Sequence, residues 1–262
     1  MRILIGDIGN TLTKLCLVDE TSTSIKEHSI ETAKIIKEKN LIKFLNSILI
    51  EEVKKKILFS SVVPKVYQKI NKALKKKKYQ VYEIKNLPLK KLIKIKVDKY
   101  NQLGSDRIAN AIGAYSLYEK NCLIVDFGTA TTFDIVRKPG IYEGGVIAPG
   151  VKLSILNLNH FTASLPIFDL KANQKAYGKN TKDALNAGFL WGYQGLINNI
   201  VKKIKLSFNC SFKIILTGGY SKIFSKFVNN NSTIEPNITI KGIMHIYKNL
   251  IKWAKKNFFF VH

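Results

Sequence analysis

The sequence predicts an α/β protein made of two related halves. Apolar, branched runs of strand length alternate along the chain with longer stretches of helical spacing. A strand ending in Asp-x-Gly, followed by hydroxyl side chains and a second strand, occurs twice, close to half a chain length apart. The copies are ILIGDIGNTLT from Ile3 to Thr13 and CLIVDFGTATT from Cys122 to Thr132. One duplication accounts for the echo, with a boundary near residue 118 and domains of 1–118 and 119–262. A chance recurrence of a short turn is the alternative, weakened because each copy opens a strand-rich half. The length of 262 residues suits about two domains.

Element by element, Arg2–Ile8 is an apolar strand, Gly9-Asn10 supplies turn chemistry, and Thr11–Val18 alternates as a returning strand. Glu31 to Lys56 carries helical spacing through Ile35, Ile36, Leu41, Ile42, Leu45 and Ile48. Ile57–Val63 reads as a buried strand ending at Pro64, Lys65–Lys77 as a helix, and Tyr79–Ile84 as a short strand. Ser105–Tyr118 is an alanine-rich helix. In the second half the hairpin from Cys122 is followed by a Gly/Pro-punctuated loop, Gly144–Gly150. A long helix runs from Lys182 to about Ile204, a strand Lys213–Leu216 ends in Thr217-Gly218-Gly219, and a last helix covers Gly242 to Lys256. Phe258-Phe259-Phe260 reads as packed core or interface, since three aromatics alone anchor weakly to a membrane.

Lys+Arg is 43 against Asp+Glu 18, a net charge of +25. Such a charge attracts nucleic acid, anionic lipid or acidic metabolites. Yet only Arg2, Arg107 and Arg137 are arginine, and sequence-specific DNA readers lean on the guanidinium fork that lysine lacks. The lysines are spread in short runs along the chain, as solvated faces would be. We therefore expect no specific nucleic-acid partner. No stretch reaches the roughly 18 consecutive apolar residues of a membrane span, so no membrane partner is expected either. Cys16, Cys122 and Cys210 are scattered and odd in number, which argues against a disulfide framework and fits a reducing cytoplasm. His28, His160, His245 and His262 form no HxxxH or HxH pair, so histidine makes no case for a metal site.

The chemistry lies in the turns. Glycine lets backbone amides approach a phosphate, and neighbouring Asn or Thr side chains add neutral donors. A carboxylate at the strand end cannot bind phosphate directly, but it can hold a cation that bridges to phosphate oxygens. Two such turns facing each other across a cleft would grip the phosphates of ATP. The third glycine site, Leu216–Gly219, would let a nucleoside lie against bare backbone. Each turn alone is an ordinary turn former; the three in this order say more.

The motifs DIGNT at Asp7–Thr11, GSDR at Gly104–Arg107, DFGTATT at Asp126–Thr132, GGVIAPG at Gly144–Gly150, GKNT at Gly178–Thr181 and LTGG at Leu216–Gly219 together resemble type III pantothenate kinase. The resemblance covers nearly the whole chain. It implies two duplicated ribonuclease-H-like, actin-like ATPase domains around a central ATP cleft. It also implies the reaction of ATP with pantothenate to give 4′-phosphopantothenate and ADP, the first step of coenzyme A synthesis. A homodimer, a magnesium ion and a monovalent cation (potassium or ammonium) are implied as well.

On the same resemblance, Asp106 is the base that receives the substrate hydroxyl proton, although the residues alone read as well as a helix cap by Ser105 or Asp106. A carboxylate at a helix start should be a weak base because the dipole stabilises its charge. That suits a phosphoryl transfer needing orientation more than strong deprotonation. Arg107 suits a two-pronged clamp on the pantothenate carboxylate; its ordinary reading is a surface ion pair. Gly104 and Ser105 complete that substrate motif. The ATP stretch is Asp7, Ile8, Gly9, Asn10, Thr11, Leu12, Thr13 and Lys14, with Asp7 positioned to organise magnesium. Thr129 matches an ATP-contacting threonine and Asp126 a ligand of the monovalent cation. Thr181 matches a threonine that touches pantothenate from the dimer interface, and reads equally as an N-cap. Tyr100 matches a substrate tyrosine, over a shortened spacing to Gly104. Two other classes compete: another phosphotransferase of the superfamily, and a basic nucleic-acid-binding or regulatory protein on the same fold. GSDR with GKNT argues against the first, and the presence of Asp7, Asp106 and Asp126 against a regulator that has lost catalysis.

Overall fold

Strand β1 (Ile3–Ile8) turns at Gly9 and returns as β2 (Leu12–Val18), antiparallel, with Asp7 opposite Lys14. The computed structural model describes residues 2–19, 25–49, 53–172, 175–228 and 232–252. The chain divides into two compact units, one of residues 1–119, 140–142 and 237–262, the other of residues 120–139 and 143–236.

In the first unit, β3 (Ile25–Glu31) adds to β2, and two short connections lead through α1 (Thr32–Ile35) and α2 (Glu38–Ile48) to β4 (Lys56–Ser61). Then α3 (Pro64–Lys76) crosses over to β5 (Gln80–Glu83). The sheet order is β3-β2-β1-β4-β5, with β4 parallel to both β1 and β5. Side chains alternate across a strand. Leu4, Ile8, Leu15 and Phe59 therefore pack on one face under Leu41 and Leu45 of α2 and Ile70 and Leu74 of α3. The fully buried Ile3, Ile5 and Leu58 alternate with that set. A Cβ at Gly6 would strike the Phe59 ring, so glycine there lets the aromatic lie across the strand.

After β5, 3₁₀ turns at Ile84–Asn86, Leu89–Lys91 and Tyr100–Gln102 bracket the short strand β6 (Lys94–Ile95) and lead into α4 (Ser105–Tyr118). Strand β6 pairs with Ile141 and Tyr142. Helix α8 (Ile238–Ile246), continued by a π turn at Tyr247–Ile251, packs on α4, and both helices contact the β1–β4 pair. Helix contact is close because Gly113 and Gly242 face it: a Cβ on Gly242 would run into the Ala109 carbonyl, and one on Gly113 would lie 2.6 Å from the Ile238 carbonyl. The segment from Asn237 thus returns to the first unit.

The second unit repeats the opening pattern. Strand β7 (Cys122–Phe127) pairs antiparallel with β8 (Ala130–Arg137), with Asp126 opposite Thr132. After β9 (Ile141–Pro149) come α5 (Val151–His160), α6 (Thr181–Phe208) and β10 (Lys213–Gly218), followed by α7 (Ser221–Phe224) and β11 (Ser232–Ile234). Strand β10 is parallel to β7, placing Thr217 beside Asp126, just as β4 places Ser60 beside Asp7. Leu123, Val125, Phe127 and Phe133 pack with Ile155 of α5, Leu190 and Ile197 of α6 and Phe224 of α7.

Several elements differ from the sequence expectation. The stretch expected as one helix from Glu31 breaks at Ile36-Lys37, and the preceding residues form β3. Gly144–Gly150, expected as a loop, is strand through Pro149, with Gly144 at φ +115°. Helix α5 was not anticipated. The last helix starts at Ile238 rather than Gly242, and Phe258-Phe259-Phe260 lies outside the described residues.

Candidate active site

At the first hairpin, Gly9 N–H bonds the Leu12 carbonyl at 3.0 Å, and Asn10, Thr11 and Leu12 are exposed at the tip. Thr32 braces the turn from behind. Its Oγ1 donates to the Gly9 carbonyl at 2.7 Å and lies 3.0 Å from Thr13 Oγ1, while its N–H donates to the Thr11 carbonyl at 3.0 Å. The side chains of Ile8 and Thr13 are consequently in the core, so of the expected ATP stretch these two offer backbone only. Lys14 sits 3.3 Å from Glu27 in a half-exposed ion pair, an interaction weak enough to be given up to a ligand. Asp7 is half-buried at the end of β1.

The start of α4 is tied to the same end of the sheet. Ser105 Oγ accepts the Ser61 N–H and donates to the Ser61 carbonyl, each at 2.7 Å. Ser61 is in turn the register partner of Ile8. The structure thus brings the Asp7–Lys14 turn and the Gly104–Arg107 segment together within the first unit. The N-cap position of α4 is Gly104, without a side-chain cap. Asp106, half-buried in the first turn, accepts the Arg107 N–H at 2.8 Å through Oδ1. It therefore partly caps its own helix, and a Cβ at Gly104 would collide with that oxygen.

The basicity of Asp106 departs from the expectation. Burial pushes its pKa above the ordinary 3.8, outweighing the Arg107 N–H, the Arg107 guanidinium and the Lys85 ammonium, which pull it down. Desolvation penalises the charged carboxylate more than the helix start rewards it, so Asp106 is a better base than helix position alone implies.

Tyr100 is 39% exposed, with its hydroxyl donating to the Lys85 carbonyl at 3.4 Å. Its pKa is raised, first by burial and then by the charge of Glu83. Sequence reasoning missed Glu83, which is only 9% exposed and whose charge bears on Tyr100. No local motif contains it.

In the second unit, Thr129 is exposed at the β7–β8 turn. A Cβ at Gly150 would run into the Thr129 carbonyl, so that glycine admits the turn. Asp126 is half-buried at the end of β7, and Gly218 (φ +82°) approaches it so closely that an added Cβ would lie 2.7 Å from Asp126 Oδ1. The left-handed conformation favours glycine there. Thr181 begins α6. Its expected alternative as an N-cap is not what forms: Asn180 caps α6, accepting the Asp183 N–H at 2.9 Å. Thr181 is the first helical residue and lines a groove of about 580 Å³ between α5 and α6 with Ser154, Leu158, Leu185, Phe189 and Leu196.

Among the described residues no group of three or more His, Cys, Asp or Glu side chains converges as a metal cage. Magnesium is usually held by one or two carboxylates, with water and substrate phosphates completing its shell. The hard-oxygen donor of Asp7, beside an open glycine turn, fits that mode.

The type III pantothenate kinase family model matches residues 3–203. A type III pantothenate kinase from Pelagibacter ubique is 47% identical, over 92% of this chain and 97% of its own. Another, from a Sulfurihydrogenibium species, is 36% identical over 94% of this chain and 99% of its own. Among solved structures, an ethanolamine utilization protein from Carboxydothermus hydrogenoformans gives a TM-score of 0.56 at 12% identity, covering 93% of this chain and 89% of that one. The activator of the 2-hydroxyisocaproyl-CoA dehydratase from Clostridium difficile gives 0.55 at 11%, covering 93% and 92%. These two likenesses concern the fold alone, mixed α/β with two sheets.

Proposed function

The chain belongs to the type III pantothenate kinase family, and from that membership we propose how its own residues carry the reaction. The activity is ATP-dependent: the γ-phosphate of ATP passes to the 4′-hydroxyl of pantothenate, giving 4′-phosphopantothenate and ADP. Asp106 is the base in our reading. The observation that carries this is its half-buried carboxylate in the first turn of α4, held by the Arg107 N–H at 2.8 Å and raised in pKa by burial. A phosphoryl-transfer site works by positioning and charge stabilisation, so a carboxylate oriented by its own helix and able to take a proton suits the role. Arg107, one residue along, clamps the pantothenate carboxylate.

The exposed Asn10 and Thr11, the Gly9 backbone and Lys14 cradle phosphate in this reading, and Thr129 contacts ATP. Magnesium, held by Asp7, would neutralise charge on the phosphates. Asp126, beside the open Gly218 backbone, is our ligand for a monovalent cation; Asp126→Ala should then abolish potassium activation.

We further read the protein as a cytoplasmic homodimer, with duplicated sequence halves 1–118 and 119–262. Support for the dimer comes from α6. It buries Leu190, Tyr193 and Ile197 in its own unit, while the adjoining face, Leu185 with the partly buried Phe189 and Leu196, lines the open groove beside α5. A helix apolar round this much of its circumference suits two neighbours at once. Thr181 of one subunit then reaches the pantothenate site of the other. Among the described residues no helix is long and apolar enough to cross a membrane.

The deciding experiment is mass detection of 4′-phosphopantothenate from purified protein, ATP, magnesium and pantothenate, with potassium or sodium. Product that forms with wild-type protein and is lost in Asp106→Asn supports the assignment. Equal rates in potassium and sodium would remove the cation role from Asp126.

A further inference from the structure

Glu83 ends β5, opposite Phe59 in the parallel register. Its side chain is almost wholly buried, and only one of its oxygens is well used. Oε2 accepts the Lys85 N–H at 2.9 Å, while Oε1 is buried and takes no hydrogen bond among the described residues. The nearby Ser105 hydroxyl is close enough to favour the charged form, but that hydroxyl has one proton and spends it on the Ser61 carbonyl. Burial raises the Glu83 pKa, and its charge is felt by the phenols of Tyr67 and Tyr100. A buried carboxylate this poorly satisfied costs stability, and an apolar residue would cost less. Stability alone does not account for it.

What Glu83 does hold is Lys85, and Lys85 is the hub of the next contacts. Its carbonyl accepts the Tyr100 hydroxyl at 3.4 Å, and its Nζ donates to the Asn101 carbonyl at 3.0 Å. Tyr100 and Asn101 belong to the 3₁₀ turn that runs straight into Gly104. Lys85 also bears electrostatically on Asp106. Three polar groups of one residue therefore join β5 to the strap in front of α4, and Glu83 anchors the first.

We propose that Glu83 is a positioning residue for pantothenate: its carboxylate fixes the Ile84–Asn86 turn, and Lys85 on that turn fixes the Tyr100–Asn101 strap against which the substrate lies. The inference rests on the assignment of the Gly104–Arg107 segment to the pantothenate site. Glu83 touches no reacting atom in this scheme, so its removal should be felt in substrate binding before chemistry.

Steady-state kinetics on the full chain, with each substrate varied in turn, provides the test. Glu83→Ala should raise KM for pantothenate about 10-fold and leave KM for ATP within about twofold, the mark of lost binding at one substrate only. Glu83→Gln keeps an oxygen for the Lys85 N–H and should return KM to near the parent value. Lys85→Met, at a half-exposed position that should not disturb folding, should raise pantothenate KM a few-fold, on the order of 3. The double variant Glu83→Ala/Lys85→Met should be no worse than Glu83→Ala, because the two act through one chain of contacts. The proposal is overturned if both KM values move together, if Glu83→Gln fails to restore binding, or if Lys85→Met leaves pantothenate KM unchanged. Should Glu83→Ala fail to fold, Glu83→Gln and Lys85→Met still decide. Asp106→Asn in the same series keeps the readings apart: an unaltered kcat there removes the base, whereas the positioning role is judged on pantothenate KM.

Discussion

Ser105 satisfies both backbone polar groups of Ser61 with a single hydroxyl, taking the N–H and giving to the carbonyl at 2.7 Å each. Through that one side chain the end of β4 and the start of α4 become a single rigid corner. Ser105→Ala would take the hydroxyl partner from two part-buried backbone groups, and a loss of about 1 kcal/mol is expected. Chemical denaturation should show the loss, with kcat reduced because Asp106 is the next residue. A variant as stable as the parent would mean water replaces the hydroxyl.

Asp106→Asn keeps the size and the capping oxygen but removes the base. We expect kcat to fall by roughly 10² or more, the scale of a positioned acid–base group. Stability should move the other way. A carboxyl whose folded pKa lies above its unfolded value favours the folded state less as pH rises through that pair of values, so native Asp106 costs stability at neutral pH. The variant should melt no lower than the parent at pH 7. In the parent, the acid limb of kcat/KM should have its midpoint above the ordinary 3.8. A midpoint below that value would contradict the burial argument.

Gly242→Ala places a methyl group against the Ala109 carbonyl, which is helix backbone and cannot swing away. Overpacking of this kind costs about 1–3 kcal/mol, and calorimetry should register it as a lowered Tm. Gly195→Ala in α6, where an added Cβ meets nothing within 4 Å, is the control and should leave Tm no lower than the parent value, since alanine favours a helix over glycine.

Mixing Asp106→Asn subunits with Thr181→Val subunits tests the shared site. If Thr181 serves its partner, mixed dimers contain one intact site and one doubly damaged site. Activity after subunit exchange should then exceed that of either parent. Sedimentation showing a fully active monomer would end the dimer reading, and so would a mixture that never rises despite proven exchange.

Both hairpins were legible because everything that forms them is local: apolar alternation, a glycine turn and hydroxyls in one short stretch. The strand β3 was not, since Ile25–Glu31 is charged and only weakly alternating. As the edge strand of its sheet it is held largely by backbone pairing to β2. Gly144, Gly145 and Pro149 disguised β9 for the converse reason, because sheet pairing overrode poor local propensity. At the site, Asp106 and Arg107 were readable from a motif, but the sign of the Asp106 shift was not. Burial is a tertiary quantity, and position at a helix start pointed the other way. Glu83 was invisible because its meaning depends on Lys85 and Ser105 being folded around it.

The return of α8 to α4 has a consequence for synthesis. A ribosome releases residues in order, so the first unit emerges with the Ala109–Gly113 face of α4 bare and must wait for the segment from Asn237. The second unit has all its residues by Pro236. It can therefore close first, and the half that begins the chain is the half that finishes last. A released chain truncated after Pro236 should accordingly resist protease in residues 143–236 while the earlier half is still cut; equal protection of both would refute this order.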